Sequence, residues 1–161
     1  RSAQGLTKGG VLMDETKWLR EMLRQELDLM APSLARIGKK NVVIKDGNDG
    51  PIAHARLSDR WNGHEINTFV IDPEHRGKGL SHEVLKRCGD GRLFAYTRDT
   101  RLRSALLRAG FERRRTPGPV ALLSVMVARA SSVFWMVVLL EFRRLHHQLV
   151  NLFGYELFVR E

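Results

Sequence analysis

The fold is decided by the stretch Phe69-Val70-Ile71-Asp72-Pro73-Glu74-His75-Arg76-Gly77-Lys78-Gly79-Leu80-Ser81. Its first three residues predict a buried strand, and its two glycines precede a helical pattern that continues to Cys88. A strand that runs into a glycine loop and then a helix directs backbone N–H groups and the positive end of the helix dipole at one place. The junction therefore predicts a phosphate-binding loop, with a spacing that differs from a Walker P-loop and from a dinucleotide-binding motif.

Upstream of this stretch, the sequence predicts one helix and three strands. Asp14 is placed to cap a helix that continues to Met30, because apolar residues recur there at three- and four-residue spacing. A β-branched run at 42–44 and a strand at 52–57 flank a turn-rich segment, which is typical of a hairpin. The third strand, 65–71, ends in apolar residues, so we expect it to be central and buried.

Downstream of the stretch, the sequence predicts a strand, a helix and one further strand. A short apolar run at 93–96 is followed by a helix that Asp99 is placed to cap. The apolar residues 120–127 are a candidate for the last strand. We therefore expect a folded domain over residues 13–129, preceded by a flexible or processed lead at 1–12.

Residues 130–161 have a different pattern of apolar and polar residues from the preceding domain, and this pattern predicts a C-terminal helical extension. A transmembrane span needs roughly 20 predominantly apolar residues. The apolar run here becomes polar at Glu141, and a span counted from Pro119 would carry Arg129 at mid-depth. We therefore expect no transmembrane span, and a helix that packs on the domain or on a second copy, as in a homodimer or larger assembly. Contact with a membrane surface and an extended strand are the alternatives.

The charge balance points to an anionic partner without choosing one. Of the 161 residues, 27 are Lys or Arg and 18 are Asp or Glu, which gives a formal charge of +9. A nucleic acid, a phosphorylated cofactor, an anionic membrane or an acidic protein could each use this surplus. An arginine belt between Arg98 and Arg115 holds part of it. We interpret the belt as a solvated face rather than a nucleic-acid site, because interleaved aromatic residues are missing.

Cysteine usage and the first residues bear on the compartment. Cys88 is the single cysteine, so the chain forms no internal disulfide and no multi-cysteine zinc site. Residues 1–10 contain no apolar run of the kind found in signal peptides. We therefore expect a cytoplasmic protein that needs no metal.

Two motifs together resemble the GNAT superfamily of N-acetyltransferases. The segment Arg76-Gly77-Lys78-Gly79-Leu80-Ser81 is similar to the acyl-CoA loop R/Q-x-x-G-x-G/A, with Ser81 at the last position. The segment Leu106-Leu107-Arg108-Ala109-Gly110-Phe111 looks like the family's helix that ends in Gly-Phe. The resemblance implies an α/β (α+β) fold with a mixed, mostly antiparallel sheet flanked by helices. It also implies acetyl transfer to an amine, with a sheet that opens beside the Phe69 strand to admit acetyl-CoA.

The resemblance implies which residues bind this cosubstrate, and it implies no metal. The strand residues Phe69, Val70 and Ile71 would meet the acetyl group and the pantetheine arm. The loop residues that would meet the pyrophosphate are Arg76, Gly77, Lys78, Gly79, Leu80 and Ser81. The backbone amide of Phe69 would also donate a hydrogen bond to the developing oxyanion.

Glu65 is the candidate for the base that takes a proton from the acceptor amine. It lies six residues before Ile71, at the position of a catalytic glutamate in the protein-lysine branch of the family. Two-residue alternation places Glu65, Asn67, Phe69 and Ile71 on one strand face. A carboxylate buried among apolar groups there would suit proton abstraction near neutral pH. His54, His64 and Glu74 are lesser candidates that we expect at the surface.

The sequence offers more than one candidate for the acid that protonates the leaving thiolate. Leu106 occupies the family's usual tyrosine position, and Asp99 replaces an asparagine often found near the start of the same helix. Tyr96, Ser104 or water could then serve as the acid. The departure leaves two other functions open. One is a GNAT-like assembly module with reduced or absent catalysis, and the other is a basic RNA- or membrane-surface binder. The acceptor, a small molecule or a protein, is not encoded in a recognisable motif.

Overall fold

The protein is described from a computed structural model, which covers residues 7–151 and 154–161. The helices are α1 Thr7–Gln25, α2 Leu80–Arg87, α3 Thr100–Arg108, α4 Pro119–Val138 and α5 Phe142–Val150. The strands are β1 Asn41–Lys45, β2 Pro51–Arg60, β3 Gly63–Ile71, β4 Leu93–Thr97, β5 Glu112–Arg114 and β6 Glu156–Arg160. Short 3-10 turns lie at Pro32–Leu34 and Pro73–His75.

The six strands form one mixed sheet in the order β1-β2-β3-β4-β6-β5. Every described neighbouring pair is antiparallel except β3 with β4, which is parallel. The predicted mixed, mostly antiparallel sheet is therefore confirmed, including the hairpin of β1 and β2.

Helices cover both faces of this sheet. On one face, α2 and α3 enclose the main core, in which Leu85, Leu93 and Leu106 are fully buried. On the other face, α1 packs Leu19 and Leu23 against Val70, and the first half of α4 packs Ala121 and Val125 against β4 and β6. Each fully buried aliphatic side chain contributes roughly 1.5–3 kcal/mol, so these layers hold the sheet in place.

The start of α3 is as the sequence predicts. The Asp99 side chain accepts hydrogen bonds from the backbone N–H of Arg101 at 2.7 Å and of Leu102 at 3.1 Å. These two bonds satisfy N–H groups that have no partner inside the helix. The chain leaves the helix at Gly110, whose φ of 83° is the left-handed conformation that favours glycine.

Helix α1 differs from the prediction at both ends. It begins at Thr7 rather than at a cap on Asp14, and it ends at Gln25 rather than Met30. Residues 7–12 of the predicted lead are therefore helical, while residues 1–6 lie outside the described part of the chain. The apolar spacing extends past Gln25 because Leu29 and Met30 pack against the same cluster from the following loop.

The candidate strand at 120–127 is wrong, because these residues form the first half of α4. Gly118 and Pro119 begin this helix, where a proline at the first helical position loses no hydrogen bond. Only Ala121, Val125 and Met136 are buried along α4, and many of the apolar side chains between them are exposed. A segment that is apolar on several sides shows no helical periodicity, so the sequence pattern resembled a strand.

The predicted helical extension at 130–161 is helical in the second half of α4 and in α5, but it ends in the strand β6. The predicted boundary at residue 129 falls inside α4, and β6 lies in the sheet between β4 and β5. The helices α4 and α5 are thus an insertion between two adjacent strands. Whether they also mediate assembly stays a prediction.

Arg144 attaches α5 to the end of α1. Its side chain is buried, and it donates hydrogen bonds to the carbonyls of Glu26 at 2.6 Å, Leu23 at 2.8 Å and Leu29 at 2.9 Å. Carbonyls at the end of a helix lack partners within it, so the guanidinium caps α1 from another element. Burial lowers the pKa of Arg144, which nevertheless stays a cation at neutral pH.

Helix α4 has the length and apolarity of a membrane span. It has 20 residues and a mean hydropathy of 1.8, and 17% of its most apolar window is buried. The core helices of soluble proteins pass the same test of length and composition, so the absence of a transmembrane span stays a prediction. The Arg129 side chain, near its middle, contacts Glu65 of β3 at 3.3 Å.

Candidate active site

The sheet opens between β3 and β4. These parallel strands pair only at His64 with Leu93 and at Glu65 with Phe94. Beyond Glu65 they separate, and β4 continues along β6 on its other side. We call the opening between residues 66–71 of β3 and 95–97 of β4 the fork. Its walls are strand edges without a neighbouring strand, so they present backbone groups that a ligand can bind.

A bulge interrupts β3 along the fork. Arg56 of β2 pairs with Asn67, and His54 pairs with Val70, so β3 contains one residue more than β2 between these pairs. Thr68 lies in this interval with a φ of 50°, a left-handed conformation that is strained for a β-branched residue.

The bulge reverses which way the following backbone amides point. The N–H of His64 donates to Arg92 O on the β4 side at 3.0 Å, and the N–H of Asp72 donates to Ile52 O on the β2 side at 2.9 Å. Uninterrupted alternation from His64 would direct the amides of Phe69 and Ile71 toward β2. Alternation counted back from Asp72 directs them toward β4. The extra residue therefore turns both amides into the fork.

The same bulge overturns the prediction that four side chains share one face. Phe69 and Ile71 pack with Ile66 in the core under α2 and α3. Glu65 lies on the opposite face, where Arg129 of α4 contacts it. The Val70 side chain packs under α1, so its side chain faces away from the fork. A single extra residue changes the face of every later side chain, and alternation in a sequence does not reveal it.

The loop between β3 and α2 has the form expected of an anion site. Gly77 and Gly79 each have a φ of 78°, and a Cβ built at either would meet no described atom within 4 Å. The loop therefore needs glycine for its backbone conformation and leaves open space above it. Helix α2 begins next, with Leu80 packed on the core and Ser81 half-buried.

The two cations of this loop are exposed. The Arg76 guanidinium donates to Ile71 O at 3.3 Å and contacts the Glu26 carboxylate at 3.4 Å, and Lys78 is also exposed. Arg76 thus lies near the end of the β3 edge. An anion bound at the two glycines would lie next to the fork, so the loop and the fork can form one continuous site.

Glu65 is buried at the apex of the fork between two arginines. The carboxylate is 3% exposed, and its Oε2 accepts from Arg60 at 2.8 Å through Nε and contacts a second guanidinium nitrogen at 2.5 Å. Its Oε1 accepts from Arg129 at 3.3 Å. The expectation of apolar surroundings is therefore wrong, since two guanidinium groups stabilise the charged carboxylate.

The sequence reasoning missed both arginine partners. Arg60 lies across the tight β2–β3 turn from Gly63, so the predicted hairpin could have suggested it. Arg129 comes from α4, which the sequence pattern placed in a strand followed by a domain end. No local signal connects it with Glu65.

Tyr96 lies beside this group on β4. Its half-buried ring makes an edge contact with Phe94, with centroids 6.4 Å apart, and the Arg129 guanidinium lies 5.9 Å from its centroid. Burial, together with the charge of Glu65, raises the pKa of Tyr96, so its hydroxyl stays protonated at neutral pH. The structure thus brings together the sequence-predicted base and acid, with Arg129 between them.

The other acid and base candidates lie elsewhere. Ser104 is exposed on α3 and donates to Thr100 O at 3.0 Å, while Leu106 is fully buried in the main core. His64 is exposed and contacts Asp59 at 2.9 Å, and Glu74 is exposed in the loop. None of these side chains contacts Glu65 or Tyr96 in the described part of the chain.

His54 is completely buried, which contradicts the expectation of a surface residue. Its Nδ1 lies 2.9 Å from the Thr68 carbonyl oxygen, and its Nε2 lies 2.7 Å from Asn41 Nδ2. Burial lowers the pKa of His54 to about 4, so the ring is neutral at pH 7. It therefore lies behind the bulge, on β2, rather than in the fork.

A second polar cluster joins the α1–β1 connection to α5. Asp28 contacts Arg98 at 2.7 Å and His147 at 2.9 Å, and it accepts from the Tyr155 hydroxyl at 3.2 Å. Burial opposes the charge on Asp28, but the hydrogen bonds, that of Arg98 foremost, lower its pKa overall. Burial raises the pKa of Tyr155 to about 12. These contacts satisfy the cluster internally.

The arginine belt is partly neutralised by carboxylates. Besides Arg98 with Asp28, the belt's ion pairs include Arg103 and Arg113 with Glu156 and Arg114 with Glu161. Much of the belt is therefore a set of ordinary surface pairs, as the interpretation of a solvated face expected. Among residues 7–151 and 154–161, no group of three or more His, Cys, Asp or Glu side chains could hold a metal ion.

A shallow groove of about 420 Å³ lies near the site on the β1–β2 side. Its lining includes the cations Arg36, Lys39 and Arg56 and extends to Ser58, which pairs in register with Glu65. The groove is open and does not enclose the fork. Lys40 in this lining is paired with Asp59, and the remaining cations would favour an anionic molecule in the groove.

The chain matches the model of the Acetyltransferase (GNAT) family over residues 12–99. Rv2747 from Mycobacterium tuberculosis, solved in complex with CoA, is 17% identical, with a TM-score of 0.62 over 90% of this chain and 92% of that one. A phosphinothricin acetyltransferase from Sinorhizobium meliloti, solved with acetyl-CoA, is 19% identical, with a TM-score of 0.50 over 71% and 74%.

A third similar structure is N-acetylglutamate synthase from Neisseria gonorrhoeae, complexed with coenzyme A and N-acetyl-glutamate. It is 13% identical, with a TM-score of 0.54, over 99% of this chain and 34% of that one. The chain thus spans about a third of its length. No curated protein matches the sequence. At these identities, the structural likeness establishes the fold.

Proposed function

The chain belongs to the acetyltransferase (GNAT) family, and we propose that it transfers the acetyl group of acetyl-CoA to an amine. The observation that carries this proposal is the fork beside the glycine loop. The open β3 edge offers N–H groups to a pantetheine arm and an acetyl carbonyl, and the loop offers N–H groups to a pyrophosphate. The Mycobacterium and Sinorhizobium relatives, solved with CoA and acetyl-CoA, support this cosubstrate.

The binding roles follow the two parts of the site. Phe69 and Ile71 use their amides along the fork. Val70 pairs with His54 of β2 and packs its side chain under α1, so it holds in place the strand that carries these two amides. Residues 76–81 take the pyrophosphate, with Arg76 and Lys78 adding charge.

Two side chains carry the proton transfers of the chemical step. Glu65 takes a proton from the acceptor ammonium, and the neutral amine attacks the thioester carbonyl carbon. The new C–N bond leaves charge on the carbonyl oxygen, which accepts a hydrogen bond from the Phe69 amide. The C–S bond then breaks, and Tyr96 gives its proton to the thiolate and recovers one from the amide nitrogen. The products are an N-acetylated amine, CoA thiol and a proton held by Glu65.

Glu65 can act in this way only when one carboxylate oxygen is free. Arg60 holds Oε2 from a nearly buried position, whereas the Arg129 side chain is 55% exposed and reaches Oε1 at 3.3 Å. Arg129 is therefore the partner that can turn out into solvent, and Arg60 still pairs with the carboxylate when it does. We propose that Arg129 leaves Glu65 when the acceptor binds.

An acceptor that carries a carboxylate beside its amine would supply that other partner. Arg60 already neutralises Glu65, so the Arg129 guanidinium is a surplus positive charge at the fork. The positive groove near Ser58 favours the same class of acceptor. N-acetyl-glutamate, present in the Neisseria relative, is an acetylated molecule of this class.

Cosubstrate binding is tested by calorimetry with acetyl-CoA. Gly79→Glu should lose at least tenfold in affinity, because it places a side chain and a negative charge over the loop. Gly89→Glu is a matched control, since Gly89 also has a positive φ and open space but lies after α2. Equal affinities for the two variants, or no binding by the wild type, would remove the acetyl-CoA site.

Turnover is tested by thiol release with matched acceptors. Glu65→Gln should lower kcat by 10²–10⁴-fold, the usual contribution of a general base, and Tyr96→Phe should lower it less. For the wild type, the KM for an amino acid as acceptor should be lower than the KM for the carboxamide of the same amino acid. Arg129→Gln should erase this difference, whereas Arg101→Gln, at an exposed position, should retain it. An unchanged rate in Glu65→Gln excludes it as the base. Binding of acetyl-CoA without turnover would favour an assembly role.

A further inference from the structure

We infer that His54 and Asn41 are positioning residues for acetyl transfer, because they hold the β3 bulge that turns the Phe69 amide into the fork. This inference rests on the proposed function. Neither side chain touches the reacting atoms, and both act through the backbone of Thr68.

The contacts form a chain across three strands. Asn41 is on β1, His54 on β2 and Thr68 on β3. A carbonyl oxygen only accepts hydrogen bonds, so the contact with Thr68 O requires a proton on His54 Nδ1. The neutral ring then has a lone pair on Nε2, which accepts from the Asn41 amide at 2.7 Å.

The orientation of the Asn41 amide is fixed independently of His54. Its Oδ1 accepts from the N–H of Gly38 at 3.3 Å, and its Nδ2 also lies 3.3 Å from Arg36 O. The amide therefore presents N–H to the histidine ring, and this selects the tautomer that donates to Thr68. A hydrogen bond to one ring nitrogen commonly fixes which nitrogen carries the proton and so orients a histidine.

The bulge needs such support because its backbone is strained. Thr68 is β-branched and has a φ of 50° inside a strand, where an extended conformation would be relaxed. The relaxed, unbulged register would direct the Phe69 amide toward β2 instead of the fork. His54 lies opposite the bulge, is completely buried and binds the carbonyl of the strained residue, so it stabilises the active register.

The inference is tested by kinetics of His54→Leu and His54→Asn. The leucine fills the space without donating a hydrogen bond, whereas the asparagine Nδ2 can occupy the place of Nδ1. We expect His54→Leu to lower kcat at least tenfold with a smaller rise in the KM for acetyl-CoA, because the fork loses its N–H groups while the loop at 76–81 still binds the pyrophosphate. His54→Asn should recover most of kcat. His146→Leu, on the exposed face of α5, is the matched control.

A second readout does not depend on turnover. Amide hydrogen exchange should speed up at residues 66–71 in His54→Leu and in Asn41→Ala, but not in α2. If kcat is unchanged in a folded His54→Leu, or if exchange at 66–71 is unchanged in both variants, the inference is overturned. A wild type that fails to bind acetyl-CoA would defeat the proposed function, and the exchange measurement would still decide whether His54 holds the bulge. Asn41→Ala provides the result if His54→Leu does not fold.

Discussion

Lowering the pH from 7 to 5 should destabilise the protein by about 2 kcal/mol through His54 alone. Burial lowers the pKa of His54 from 6.5 to about 4, and the ring is completely buried. Each tenfold change in a proton-binding constant is worth about 1.4 kcal/mol, so the whole shift corresponds to about 3 kcal/mol. The unfolded chain binds more protons than the native state between the two pKa values, so stability rises with pH across this window. The contribution is complete above about pH 6.5 and is lost as the pH falls to about 4.

The charged groups around His54 do not cancel this effect. Glu15 on α1 favours the protonated ring, but it is paired with Lys45 of β1 at 2.9 Å, and Arg56 on β2 opposes protonation. Nδ1 carries a proton in both the neutral and the charged form of this ring. Charging the ring adds a proton to Nε2, where it would face the N–H of Asn41. Protonation therefore breaks the contact as well as burying a charge.

Urea unfolding of the wild type and His54→Asn at pH 7 and pH 5 measures the effect. Carboxylates and other histidines titrate in both proteins, so only the difference between them reports on His54. We expect the free energy of unfolding of the wild type to fall by about 2 kcal/mol more than that of the variant. Equal losses in the two proteins would refute the reasoning, as would a wild type that is more stable at pH 5.

Three further predictions test the fold around the site. Gly63→Ala should lower the free energy of unfolding by about 1–3 kcal/mol, since the new Cβ would lie 2.9 Å from the Arg92 carbonyl oxygen at the apex of the fork. Gly47→Ala is the control, because its Cβ would meet no atom within 4 Å. Equal unfolding midpoints for the two variants would contradict this prediction. Arg144→Met should lower the free energy of unfolding by about 3 kcal/mol or more, because three carbonyls lose their hydrogen-bond donor. Arg143→Met, at the exposed neighbouring position, should change it by less than about 0.5 kcal/mol. If the exposed apolar residues of α4 and of the turn that follows it mediate assembly, light scattering should give a multiple of 18.4 kDa for the wild type and a single copy for Phe134→Ser with Leu140→Ser. A monomeric wild type would end that prediction.

The fold was predictable where local chemistry decides an element. Asp99 caps α3, the turn after β1 reverses the chain, and apolar spacing defines α2, so each signal lies within a few residues of the element it sets. The family resemblance then supplied the arrangement of the sheet. The first half of α4 was missed because its residues are apolar on several sides, and β6 because a short strand far along the chain carries no signal of its neighbours.

The site was predictable only in part, because its geometry depends on one extra residue and one distant helix. Glu65 and Tyr96 both lie beside Arg129 in the structure, but their roles stay predictions. The direction of the Phe69 amide depends on the bulge at Thr68, which alternation in the sequence does not reveal. Arg129 reaches Glu65 from α4, and a residue so distant in sequence joins a site only through the tertiary fold.

The position of β6 has a consequence for protein synthesis. As the chain leaves the ribosome, β1 to β5 emerge well before residues 156–160, which must lie between β4 and β5. Until then, β4 exposes one edge to other nascent chains, and α4 has only part of its packing surface, because Leu157 and Val159 complete it. The nascent protein should therefore depend on chaperone protection until β6 emerges, and a ribosome that stalls before residue 156 should release a chain prone to aggregation rather than a shortened domain.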